Sequence, residues 1–272
     1  MARTAIIIPA RLGSSRFPGK PLAPITGPDG RERIAISYTW DAALAAADLL
    51  SGEVEVVVAT DDRGIADACE ALGMAVVMTP ESCRNGTERC AAALPGLSAH
   101  PDMVVNLQGD ALLTPATMVR AVVEALEARQ DFVMTTPVVA ASPAVLAHLQ
   151  SDAAAGRVGG TTAACASDGR ALYFSKSIIP HAAPGTTPIQ PILLHIGLYA
   201  YRPQALETYA ALPPVPLELQ EGLEQVRFLD AGLPVGTVLC EAPPWDIVEL
   251  NNPTDVALIE AQLVRRAEQD MM

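Results

Sequence analysis

Three short apolar runs, at residues 5–10, 54–59 and 103–107, restrict the possible folds of this chain more than any other feature, because segments of helical period lie between them. A short continuous apolar run suits a strand buried on both faces, and such strands occur in parallel sheets covered by helices. After the first run, Ile34, Tyr38, Asp41, Leu44 and Ala45 approximate helical spacing and predict a helix over about 34–50. After the second, Ile65, Ala68, Cys69 and Leu72 share one face of a helix over 61–72, and residues 75–78 read as a further strand. The order β-α-β-α-β predicts parallel pairing with right-handed crossovers. Residues 84–94 read as a loop running into a helix. The third run ends in Gln108-Gly109-Asp110, placing polar groups at a strand's C-terminal end, where open α/β sheets bind ligands.

A helix over 115–129 is followed by strand candidates at 132–140, 160–165, 171–175 and 195–202, and a last helix spans about 253–268. Proline-rich stretches at 180–191 and 213–216 read as surface loops. With 272 residues and no internal repeat, a single α/β domain over 1–272 is the expectation. Only 4% of the residues are aromatic, so the core must be assembled mainly from Ala, Val, Leu and Ile.

A net charge of −13 argues against nucleic acid as a partner, because a phosphate backbone demands a surplus of cations. The five cysteines, Cys69, Cys83, Cys90, Cys165 and Cys240, are scattered without a CxxC pair and read as reduced thiols rather than metal ligands. The sequence lacks a signal-peptide pattern and any apolar stretch long enough to span a membrane, so a cytoplasmic location is expected.

The chemistry is concentrated in Pro9-Ala10-Arg11-Leu12-Gly13-Ser14-Ser15-Arg16-Phe17-Pro18-Gly19-Lys20-Pro21-Leu22. Small residues let backbone N–H groups approach an anion, and Arg11, Arg16 and Lys20 gather three of the chain's 18 cationic residues within ten positions. A triphosphate suits such a loop. Neither the GxxxxGK[ST] order nor the GxGxxG order is present, which disfavours P-loop ATPases and dinucleotide dehydrogenases. By themselves, Asp110 reads as a solvated loop acid and His195 as a hydrogen-bonded core histidine.

The loop resembles the PARxxSxRxPxKxL signature of bacterial sugar-nucleotide cytidylyltransferases. Ala59-Thr60-Asp61-Asp62, Asn85-Gly86-Thr87-Glu88-Arg89, Asn106-Leu107-Gln108-Gly109-Asp110, Ala171-Leu172-Tyr173-Phe174-Ser175, the block from His195 to Arg202, and Leu223-Glu224-Gln225-Val226-Arg227 resemble, in order, blocks of the 3-deoxy-manno-octulosonate cytidylyltransferases. The resemblance covers nearly the whole chain. It implies a Rossmann-like, mixed but mostly parallel sheet flanked by helices, of the nucleotide-diphospho-sugar transferase type. The implied division is a nucleotide half over about 1–130 and an acceptor-binding and dimerisation half over about 131–272, the protein forming a homodimer.

The implied reaction moves CMP from CTP to a small acidic acceptor with Mg²⁺ and releases pyrophosphate. Arg11, Lys20 and Asp110 would be catalytic. Pro9, Ala10, Arg11, Ser14, Arg16, Lys20, Thr87, Arg89 and Gln108 would bind the nucleotide. Lys176, His195, Tyr199, Glu224 and Gln225 would bind the acceptor, and Asp110 with Asn251 the metal.

The sequence departs from the family pattern on the acceptor and metal side. The usual Asp-Glu-Pro is Asp110-Ala111-Leu112, and Leu194 replaces a basic residue. An Asn-x-x-Lys becomes Gly159 and Thr162, while an Arg becomes Lys176, which cannot reproduce a bidentate fork. The usual metal-binding Asp aligns with Asn251, whose neutral carbonyl weakens a hard-cation site unless Glu249, Asp246 or the substrate supplies the charge. These departures raise the alternative of a small phosphonate acceptor in secondary metabolism instead of lipopolysaccharide assembly. Further alternatives are a catalytically inactive nucleotide-binding relative and an enzyme that uses another nucleoside triphosphate.

Overall fold

The computed structural model describes residues 2–13, 16–156, 160–181 and 189–270. Strand β1 (Arg3–Ala10) is buried from Thr4 onward, and its alternate side chains enter two different cores. Ile6 and Ile8 pack on one face of the sheet, Ala5 and Ile7 on the other, as the two-residue period of a strand requires. A 3₁₀ turn at Lys20–Leu22 leads into the hairpin β2 (Pro24–Thr26) and β3 (Glu32–Ile34), then α1 (Ala35–Ala47). Next come β4 (Glu53–Thr60), α2 (Arg63–Ala71) and β5 (Val76–Met78), followed by α3 (Gly86–Ala93), β6 (Met103–Leu107) and α4 (Ala116–Ala128).

The expected parallel unit is present: β5, β4, β1 and β6 lie side by side in parallel. Two capped helix starts fix the loops after these strands. Asp62 accepts from the Ile65 N–H at 2.8 Å to start α2, and Asn85 accepts from the Glu88 N–H at 2.8 Å to start α3. Side-chain caps of this kind each contribute about 1 kcal/mol.

The second half is richer in helix than the sequence pattern predicts. It comprises β7 (Met134–Ala140), α5 (Pro143–Ala154), β8 (Thr162–Cys165), β9 (Ala171–Ser175), β10 (Leu193–His195) and β11 (Leu198–Tyr201). Then follow α6 (Pro203–Ala211), α7 (Pro216–Glu221), α8 (Val226–Asp230), β12 (Val235–Cys240) and α9 (Asp255–Asp270). Helices α5 to α8, strand β12 and the β2–β3 hairpin were not legible in the sequence. The 213–216 stretch does not remain loop throughout, because Pro216 occupies the first turn of α7, where its missing N–H costs nothing.

The single strand expected at 195–202 is two strands broken at Ile196-Gly197, and both pair antiparallel with β7. Strand β11 also joins β6 in antiparallel fashion, β12 runs parallel along β7, and β10, β8 and β9 extend the sheet. The result is one mixed sheet whose parallel half is flanked by helices. A third apolar cluster, built from Ile25, Tyr38, Leu112, Leu113, Leu250, Ile259 and Leu263, fastens α9 over the hairpin and the segment after β6. Among the described residues, no helix is long and apolar enough to cross a membrane.

Candidate active site

The site forms where β1 and β6 end. Gly109 permits the approach: a Cβ there would lie 2.8 Å from the Pro9 carbonyl oxygen. The loop after β1 folds back on itself, with the Gly19 N–H donating to the Leu12 carbonyl at 3.0 Å. Gly19 has φ +74°, a left-handed conformation that glycine adopts without a Cβ penalty, and it directs Lys20 into the cleft. There the Lys20 ammonium forms an ion pair with the Asp110 carboxylate, both side chains being less than one-fifth exposed. The Asp110 carbonyl accepts from the Leu250 N–H at 3.0 Å, so the chain before α9 is tied to the same point.

These elements open into a cleft. One wall holds Pro9, Ala10, Arg11, Lys20, Gln108 and Asp110, and the other the turn from Cys83 to Gly86 with Arg89. Arg11 is exposed. Arg16 stands outside the cleft lining, donating to Asn251 Oδ1 at 3.1 Å, and Ser14 lies outside the described residues.

Two of the expected nucleotide contacts are committed to the protein itself. Thr87 is fully buried, its hydroxyl 2.9 Å from the Tyr201 hydroxyl. Arg89 is 2% exposed and donates to Thr79 Oγ1 at 2.6 Å and Asp61 Oδ2 at 2.9 Å. Arg89 therefore reaches the cleft as part of a buried ion pair, while Thr87 shapes it from behind.

A second cavity adjoins the first and shares Arg84 and Asn85 with it. Tyr199, Glu224 and Gln225 line it, so the fold brings three of the expected acceptor residues together. Glu224 bridges the two cavities, accepting from the Thr87 N–H at 2.9 Å and from Gln108 Nε2 at 3.3 Å. Burial raises the pKa of Glu224. The Tyr199 hydroxyl donates to Gln225 Oε1 at 3.3 Å, leaving Gln225 Nε2 buried without a partner. A buried amide N–H₂ without a partner costs about 1–3 kcal/mol, a cost that a bound acceptor oxygen would remove.

His195 and Lys176 are not in that lining. His195, at the end of β10, pairs through Nε2 with Thr136 Oγ1 at 2.8 Å and meets Phe174 edge-on with ring centroids 5.0 Å apart. Burial, with the nearby Lys176 charge adding to it, lowers its pKa to about 3, so the ring is neutral at physiological pH. The backbone N–H of Lys176 is anchored on Glu221 at 2.8 Å, while the residue itself is exposed.

The segment before α9 supplies the remaining groups. Glu249 is exposed and outside the cleft lining, yet it stands among groups crowded enough that desolvation, and then the like charge of Asp110, raises its pKa. Asn251 Nδ2 donates to Glu249 at 3.3 Å. Asp246 turns away, its Oδ2 accepting from Gln262 of α9 at 3.3 Å. Among the described residues, no group of three or more His, Cys, Asp or Glu forms a self-sufficient metal site. The sequence reading missed Arg84, Asn85 and Gly197. Asn85 and Gly197 stand inside recognised blocks and Arg84 beside one, but none was singled out, and the part of Gly197 emerges only from the Glu249 carboxylate that would meet a Cβ there.

A family model described as Cytidylyltransferase matches residues 5–235. The 3-deoxy-manno-octulosonate cytidylyltransferase of Maricaulis maris is 41% identical over 262 residues, covering 96% of this chain and 97% of that protein. The maize enzyme of the same name is 38% identical over 268 residues, covering 97% of this chain and 82% of its own. A solved structure of CMP:2-keto-3-deoxy-manno-octonic acid synthetase complexed with CTP superposes with a TM-score of 0.81 at 30% identity, covering 97% of this chain and all of that one.

Proposed function

Because the chain belongs to the cytidylyltransferase family, we propose that it transfers CMP from CTP to 3-deoxy-manno-octulosonate or a closely related sugar acid, releasing pyrophosphate. The observation that carries this reading is the Lys20–Asp110 pair in a cleft that shares Arg84 and Asn85 with a second cavity lined by Tyr199, Glu224 and Gln225. One cavity suits the nucleotide and the other the acceptor, which is the division of labour we assign to the two halves of the chain. An acceptor hydroxyl oxygen, giving up its proton to solvent, forms the new bond to the α-phosphorus, and the bond from that phosphorus to the bridging oxygen breaks, its electron pair leaving with pyrophosphate.

Such a transfer depends on alignment and charge neutralisation more than on covalent help. Arg11 and Lys20 neutralise phosphate oxygens, and the backbone of the loop after β1 positions them. Gln108 and Glu224 fix the boundary between nucleotide and acceptor. Tyr199 and Gln225 offer a phenol and an amide to hydroxyl or carboxylate groups of the acid. His195, being neutral, hydrogen-bonds rather than acting as a cation.

The residues fit a divalent cation, because the Leu250 N–H bond to the Asp110 carbonyl sets the Glu249 segment against Asp110 and the two acids repel, a repulsion that a hard oxygen-seeking ion would reduce. We assign Mg²⁺ to this place, with Asp110 as a ligand. When bound it withdraws charge from the phosphate oxygens and makes the α-phosphorus more electrophilic. We further place the protein in the cytoplasm as a homodimer formed through its second half.

A specific observation favours a second reading. Ala111 and Leu112, at 4% and 0% exposure, are buried apolar side chains, Ala111 standing where the family pattern named above has Glu, and Asn251 is neutral. A phosphonate acceptor would bring the missing negative charge with it. Mg²⁺-dependent pyrophosphate release from CTP, compared between 3-deoxy-manno-octulosonate and a panel of small phosphonates, decides between them. Turnover with the sugar acid supports the first reading, turnover with a phosphonate alone supports the second, and CTP binding without any release marks a non-catalytic relative.

A further inference from the structure

We propose that Glu249, not Asn251, supplies the second protein carboxylate of the divalent-cation site, and that Asn251 instead clamps the surrounding side chains. This rests on the cytidylyl-transfer reading of the site. Three candidates could compensate for the neutral side chain at position 251: Asn251 through its own carbonyl, Asp246, and Glu249. The first is occupied, because Asn251 Oδ1 accepts from Arg16 at 3.1 Å while its Nδ2 donates to Glu249 at 3.3 Å. The second is directed elsewhere, Asp246 being joined to Gln262 on α9 through both its N–H, at 3.0 Å, and its carboxylate.

Glu249 faces the site. The Leu250 N–H bond to the Asp110 carbonyl, 3.0 Å long, aligns the segment with the end of β6 and brings two carboxylates 139 positions apart in sequence into one electrostatic neighbourhood, which Lys20 also shares. The break between β10 and β11 makes room for the side chain. A Cβ on Gly197 would stand 3.1 Å from Glu249 Oε1 and 3.9 Å from Gln108 Cγ, so a larger residue there would press on the carboxylate. A cation held by Asp110 and Glu249 would stand beside Lys20 and Gln108 at the end of β6. Arg16, tied to Asn251, then sets the position of the loop after β1 relative to this segment.

The test reads the coupling between metal and nucleotide, without acceptor and therefore without turnover. The affinity of the full chain for CTP is measured by titration calorimetry with and without Mn²⁺, and the ratio of the two is compared among variants. Glu249→Gln is expected to reduce that ratio about tenfold or more, because ligand charge sets the affinity for a hard cation. Its metal-free CTP affinity should stay the same or rise, since a negative charge near the triphosphate has been removed. A collapsed site would instead lower both affinities. Asn251→Ala should leave the ratio within about threefold of the parent, and Glu249→Gln combined with Asn251→Asp should restore it by returning a carboxylate to the neighbouring position. An unchanged ratio in Glu249→Gln, or an equal loss in Asn251→Ala, overturns the assignment while leaving the function standing. Absence of CTP binding by the parent protein overturns the function and this assignment together.

Discussion

Arg227 offers the sharpest test of how the second cavity is held. Its side chain is fully buried, its guanidinium donates to Glu218 at 2.7 and 2.5 Å and to Glu88 at 3.1 Å, and it lies 3.9 Å over the ring of Tyr209. The network joins α3, whose capped start forms a wall of both cavities, to α7 and α8, which flank Glu224 and Gln225. Arg227→Met roughly keeps the volume but strands the buried Glu218 carboxylate and removes one of the two arginine partners of Glu88, which keeps Arg84. Breaking one side of such a buried pair costs about 3–5 kcal/mol. For a domain of this size that corresponds to a fall of roughly 6–20 °C in Tm.

The pH dependence has a definite sign. Burial alone raises the Glu88 carboxyl, but hydrogen bonds from Arg84 and Arg227 outweigh it and hold the group below its ordinary value. A depressed carboxyl stabilises the folded state fully above its unfolded pKa and loses that contribution as pH falls through the folded one. The deficit of Arg227→Met should therefore be complete at pH 7 and shrink in acid. Urea unfolding of both proteins across that range measures it. A loss under about 1 kcal/mol, or one that does not narrow in acid, refutes the claim that this network is a strong internal tie. Adding Glu218→Leu should recover part of the loss, since well-packed apolar groups can replace a buried ion pair.

Lys20→Ala should lower kcat by about 10²–10³-fold with the unfolding midpoint little changed, as for other single charge-stabilising donors; a loss below tenfold would remove Lys20 from the chemistry. Gly86→Ala should raise the KM for CTP more than it lowers stability, because the new Cβ falls 2.7 Å from Gln108 Nε2, a movable amide, and displaces it; steady-state kinetics alongside thermal unfolding separates the two effects. His195, its pKa lowered to about 3, should show a neutral ring in ¹⁵N NMR at pH 6. Protonation then favours the unfolded chain, so its contribution to stability declines as pH drops below the ordinary histidine value, and titration near that value would contradict the buried, Thr136-bonded ring. Gly236→Ala should destabilise strongly, because its Cβ would fall 2.4 Å from the Phe132 ring, and a neutral result in urea would show that β12 can shift.

The parallel β5-β4-β1-β6 unit was readable in the sequence because strands buried on both faces need uninterrupted apolar runs, and those runs stand out between helical segments. The phosphate loop was readable because three cations and several small residues are adjacent in the chain. Strand β12 and helices α5 to α8 were not, since their apolar residues are set by partners distant in sequence instead of by a clean local period. The same limit divides the site. Arg11, Lys20, Gln108 and Asp110 follow from local motifs at the ends of strands. That Thr87 and Arg89 serve the interior, that Gln225 keeps an unpaired amide in the second cavity, and that Glu249 faces Asp110 while Asp246 does not are decided by tertiary packing alone. Hydrophobic periodicity acts between near neighbours in the chain and can be read there; hydrogen bonding, desolvation and charge act through space, between groups that only the completed fold brings together.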